Sequence, residues 1–161
     1  MNKEKLKELV IKSIDENRDK IIEVGRGIYN APEYGYKEYK TTEAVANFLN
    51  EELNLEVEKN IAVTGCKATL NENKKGPHIS ILGELDAISC KEHKDSNEIG
   101  ASHTCGHNIQ IAGMLGATLG LVKSGVLDFL DGKISVMATP AEEFIELEYR
   151  QNLKENGEIT Y

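Results

Sequence analysis

The sequence predicts an α/β fold in which helices pack on a mixed, largely parallel sheet. Three observations carry this expectation. The opening stretch repeats its apolar residues at helical spacing, the middle of the chain breaks into short strand-like runs, and helix-like and strand-like runs then alternate, the order expected when helices cover a sheet. At 161 residues the chain is long enough for one domain with a real hydrophobic core.

Composition narrows the function classes. Acidic residues outnumber basic ones by 27 to 19, for a formal charge of −8, and contact with nucleic-acid phosphates needs the opposite balance. A metal cation suits it better. Trp is absent and aromatic residues are few, so the core should be aliphatic. The first residues carry no apolar signal core, and no run approaches the roughly 20 apolar residues of a membrane helix, which makes the cytoplasm the expected compartment and a membrane an unexpected partner. Cys66, Cys90 and Cys105 are odd in number and irregularly spaced, as reduced thiols rather than a disulfide framework.

From Lys3 to about Tyr29, Leu6, Leu9, Val10, Ile14, Ile21, Ile22 and Ile28 recur at helical spacing between charged residues, for one long amphipathic helix or two. Pro32 and Gly35 break the period, and Thr41, Thr42 and Glu43 restart it for a helix running to about Leu53. Alternation around Leu55 to Lys59 and again over 65–70 predicts two strands. The apolar run from His78 to Leu85, ending in Glu84 and Asp86, predicts a central, buried strand. Residues 89–100 are polar and aperiodic, a surface loop. Ile109, Ala112, Leu115, Leu119 and Val122 then mark a helix whose Gly113, Gly116 and Gly120 call for close packing, because each costs about 1 kcal/mol relative to Ala. Lys133 to Thr139 is a further strand, followed by Pro140, Glu142 and Glu143, and by a polar helix from Glu146 to about Glu155.

Chemistry-bearing residues fall where strands give way to loops, which is where open α/β sheets bind ligands. Cys105 and His107 stand two apart at a helix entrance, and Gly106 between them permits an irregular backbone that turns both toward one ion. Thiolate and imidazole are ligands for zinc and other borderline metals. A buried free thiol beside a partly exposed imidazole gives the same triplet. Of the adjacent pair Glu142 and Glu143, one can bind metal while the other holds the attacking water, the division of labour hydrolysis needs; an acidic helix N-terminus is the alternative. Asp86, at the end of an apolar strand, needs a partner to offset its desolvation, and a metal-bound His would serve, although a capping Asp fits as well. His103 is a neighbour of this group, and His78 and His93 belong to solvated turns. A Cys105 nucleophile with His107 as base lacks a third orienting group, and the His-x-Glu and Pro-Cys-x-x-Cys pair of zinc deaminases is absent.

Three segments in order, Gly83-Glu84-Leu85-Asp86-Ala87-Ile88, His103-Thr104-Cys105-Gly106-His107-Asn108 and Thr139-Pro140-Ala141-Glu142-Glu143, resemble the N-terminal motifs of the M20 metallopeptidase and amidohydrolase family, above all its aminoacylase-like branch of aminobenzoyl-glutamate, N-acyl-amino-acid and dipeptide hydrolases. The stretch from Ala31 to Glu38 is similar to the family's early Pro-Glu-Leu-Gly type segment. The resemblance implies Cys105, His107 and Glu143 as metal ligands, Glu142 as the general base and Asp86 as the carboxylate that orients the site. It further implies a divalent transition metal, zinc or manganese, with two ions in the full-length protein, a small-molecule amide or dipeptide substrate, and a homodimer. Asn108 and Gln110 stand where other branches carry Asp and a further His. Family members continue well past the Glu pair, so residues 1–161 are expected to be the N-terminal part of a zinc-peptidase-like catalytic domain, truncated before the lid or dimerisation domain and the C-terminal part. The alternative to a metal-dependent amidohydrolase is a catalytically inactive fragment that binds metal or a protein partner.

Overall fold

The computed structural model describes residues 1–160. The opening period resolves into two helices, α1 (Lys3–Glu16) and α2 (Arg18–Tyr29). Asn2 starts α1 by accepting the Lys5 N–H on its side chain at 2.9 Å, and Asn17 ends it with its own side-chain amide on the Ser13 carbonyl at 2.8 Å. Helix α3 (Tyr39–Asn47) passes directly into a π-helical turn, Phe48–Glu52. Strands β1 (Val57–Ile61), β2 (Gly65–Leu70) and β3 (His78–Glu84) follow, then a hairpin of two short strands, β4 (Ile88–Ser89) and β5 (Ala101–Ser102). Helix α4 (His107–Lys123), a 3-10 turn at Val126–Phe129, β6 (Lys133–Thr139) and α5 (Leu147–Glu155) complete the described chain.

The main sheet has the order β1-β2-β6-β3 and is mixed: β3 runs parallel to β6, while β1 with β2 and β2 with β6 are antiparallel. Helix α4 lies against this sheet with α1 and α2 packed on its other side, so Ile111, Leu115 and Leu119 have no exposed surface. Burying each such side chain contributes about 1.5–3 kcal/mol. Two of the three helix glycines are explained by this layering. A Cβ at Gly120 would stand 2.7 Å from Ile14 and one at Gly116 would stand 3.2 Å from Ile21, whereas nothing approaches Gly113.

The strand beginning at His78 is not central. β3 is the edge of the sheet, hydrogen-bonded to β6 alone among the described residues, with Ile79 61% and Leu82 56% exposed. An apolar run reports the faces of a strand and carries no information about its lateral neighbours, so order in the sheet could not be read from it. The run also leaves the sheet at Glu84, and Leu85 and Asp86, both wholly buried, continue into the loop beyond.

Candidate metal centre

The parallel pairing of β3 and β6 sets Glu84 opposite Thr139 and releases both chains at the same end of the sheet. Asp86 leaves one strand there and Glu142 and Glu143 follow the other. The β4–β5 hairpin returns the chain to this end, and Gly106, at φ 95°, turns it into α4 so that His107 is the first helical residue. A non-glycine residue would be strained at that φ.

His107 is the hub. Its Nδ1 lies 2.8 Å from the backbone carbonyl oxygen of Asp86, which accepts only, so Nδ1 carries the hydrogen. The Asp86 carboxylate reinforces this, with Oδ1 3.3 Å from the same nitrogen. Nε2 is thereby turned toward two further carboxylates, Glu84 Oε2 at 3.0 Å and Glu142 Oε2 at 3.8 Å. A bare lone pair facing carboxylate oxygens is repulsive, so a positive charge belongs between them. Without metal a proton takes that place, and the neighbouring Asp86 carboxylate, more than any other group, lifts the imidazole to about 9.

Cys105, His107 and Glu143 each offer one ligand atom, and the three atoms lie within 4.8 Å of one another. Glu84, His107 and Glu142 form a second such group. Burial raises the pKa of the Cys105 thiol and, with Glu142 beside it, that of the Glu143 carboxyl. Both groups are therefore held in an environment that disfavours their anions until a cation arrives. Soft thiolate, imidazole and carboxylate form a donor set that fits zinc, manganese or cobalt. Asp86 Oδ2 accepts the Glu143 N–H at 2.8 Å, so one buried carboxylate orients both an imidazole and the backbone of a carboxylate candidate.

All five residues expected from the sequence, Asp86, Cys105, His107, Glu142 and Glu143, converge on this end of the sheet. His103 lies beside them, 3% exposed, with neither ring nitrogen hydrogen-bonded, and burial pushes its imidazole down to about 4. His78 stays at the surface, bonded to the Ser135 hydroxyl at 2.8 Å. Sequence reasoning gave no role to Gln110, whose side-chain amide donates to Glu84 Oε2 at 2.9 Å and accepts the Glu84 N–H at 2.5 Å. Its three-residue spacing from His107 on α4 was the available signal.

The fold and this candidate donor set define an α/β domain with potential metal ligands gathered at one end of its sheet. No family model matches the chain. It is 35% identical over 135 residues to "Thermostable carboxypeptidase 2" of Saccharolobus solfataricus, spanning 81% of this chain and 34% of that protein. It is 31% identical to "N-acetyl-L-cysteine deacetylase" of Bacillus subtilis over 76% of this chain and 30% of the relative. The fold matches the crystal structure of the Bacillus subtilis YXEP protein, described as a dinuclear metal-binding peptidase from the M20 family, with a TM-score of 0.70, 24% identity and coverage of 86% of this chain and 41% of that one. The chain belongs to the M20 metallopeptidase and amidohydrolase family. It spans about a third of the length of the curated relatives it matches. No described helix is long and apolar enough to cross a membrane.

Proposed function

We propose that the chain supplies the N-terminal part of the catalytic domain of a metal-dependent amidohydrolase, one that cleaves the amide bond of N-acyl amino acids, aminobenzoyl-glutamate-like compounds or dipeptides. The observation that carries this reading is His107, fixed by Asp86 through Nδ1 and facing carboxylates through Nε2, within ligand reach of Cys105 and Glu143. Relatives named as a carboxypeptidase and a deacetylase both break amide bonds, which supports the same reaction class.

In this proposal Cys105, His107 and Glu143 hold zinc or manganese. When bound, such an ion would supply Lewis acidity toward the amide carbonyl and lower the pKa of water. Glu142, half-exposed and close to His107, takes the proton from the attacking water and passes it to the leaving amine. Asp86 keeps the His107 ring in its Nδ1–H tautomer. A second ion and a homodimer belong to the full-length protein in the same proposal.

The test is hydrolysis of N-acetyl amino acids, aminobenzoyl-glutamate and dipeptides with zinc or manganese supplied, for the parent and for Glu142→Gln. The variant is expected to lose about 10²–10⁴-fold in kcat with its bound metal unchanged. Turnover at the parent's rate would overturn the role of Glu142. A second reading, resting on the same candidate ligand cluster, is a chain that binds metal without hydrolysis. Metal bound by a parent that turns over none of these substrates would establish it.

A further inference from the structure

The segment from Pro32 to Glu38 takes no part in the chemistry above, yet it ends in a carboxylate with no exposed surface. Glu38 immediately precedes α3, and its oxygens are both used. Oε2 accepts the Thr64 hydroxyl, and Oε1 accepts the backbone N–H of Ala141, 103 residues further along the chain, at 2.8 Å. Ala141 is the residue before the Glu142–Glu143 pair and sits at φ 54°, a left-handed conformation that a Cβ disfavours. Its carbonyl is held from the other side by Arg150 Nη2 at 2.7 Å. One residue, Ala141, is thus held at its N–H by Glu38 and at its carbonyl by Arg150, and the next contact along the chain is the Glu143 N–H on Asp86. Gly35, in the same segment as Glu38, presses on this point so closely that a Cβ there would meet the Ala141 Cβ at 2.8 Å.

The geometry points to Glu38 as a positioning residue that fixes the left-handed turn at Ala141 and so directs Glu142 and Glu143 toward His107. This inference rests on the metal-site reading above. The backbone between a strand end and a carboxylate ligand needs such a clamp, because a strained φ persists only where its surroundings over-determine it. Gln in place of Glu38 retains an acceptor for the Ala141 N–H and can donate its amide to the Thr64 hydroxyl, which rotates to accept it. Ala retains neither contact.

The test uses the full chain and three variants, Glu38→Ala, Glu38→Gln and Leu119→Val, the last on α4 about 18 Å from His107 by helix rise. Cobalt(II) affinity is read from its thiolate charge-transfer and d–d absorption, and amide exchange over residues 141–144 is read without metal. Glu38→Ala is expected to bind cobalt at least about tenfold more weakly, with altered d–d bands and faster exchange over 141–144. Glu38→Gln should stay within about threefold of the parent, and Leu119→Val should be unchanged in all three. Cobalt affinity and spectrum equal to the parent's in Glu38→Ala would overturn the inference, as would an equal loss in Leu119→Val. If Cys105→Ser abolishes binding while Glu38→Ala leaves it intact, the inference alone falls. A parent that binds no cobalt removes the metal-site reading and the inference with it.

Discussion

Replacing Asp86 by Asn should flatten the dependence of the metal-free chain's stability on pH. Asn keeps an acceptor for the Glu143 N–H, so the change removes charge beside His107 more than it removes a hydrogen bond. In the folded chain His107 stands at about 9 against an ordinary value of 6.5, and the Asp86 carboxylate is the leading cause. A folded pKa above the unfolded one gives stability that is fully present below the unfolded value and lost as pH rises through the folded one. For these values the contribution is about 3 kcal/mol near pH 6 and about 1 kcal/mol near pH 8.5. The buried His107 side chain, 9% exposed, leaves little room for solvent screening. The assay is urea unfolding of chelator-treated protein across that interval. The parent should lose about 2 kcal/mol more than Asp86→Asn between the two pH values, thiols and other carboxyls titrating in both proteins. Parallel profiles for parent and variant would refute the coupling of Asp86 to His107.

Two further outcomes test the packing that carries the site. Leu119→Ala, at a fully buried position on α4, should cost about 2–5 kcal/mol in chemical denaturation while leaving the metal stoichiometry of the folded protein unchanged. Leu82→Lys on the sheet edge should shift stability by no more than about 0.5 kcal/mol, and a loss of several times that would place β3 inside the sheet.

What the sequence made legible is what periodicity and local chemistry encode. Helix α4 announced itself through Leu115 and Leu119, and Gly106 before it marked the turn that brings in His107. The ends of β3 and β6 were legible as the places where acids follow apolar runs. The break between α1 and α2 was legible only as an alternative, one helix or two, because apolar spacing continues across Asn17, where the backbone leaves helical geometry at φ −112° and ψ 15°. The edge position of β3 was hidden because an apolar strand looks alike at the edge and in the centre. The β4–β5 hairpin was hidden by its length, two residues on each side within a polar loop. Glu38 was hidden most deeply. A lone Glu among Lys and Tyr residues reads as solvated, and its burial is decided by a peptide 103 residues away. The likeness to a known family supplied roles for Cys105, His107, Glu142 and Glu143 that spacing alone left open between ligation and ordinary burial or capping.

Elemental analysis of the purified, folded chain, beside Cys105→Ser and Glu143→Ala, addresses the metal centre most directly. The expected result is about one transition-metal ion per parent chain and a marked loss of metal from both variants, since each removes one of the three proposed ligands. A folded parent that carries no metal after incubation with zinc or manganese would contradict it.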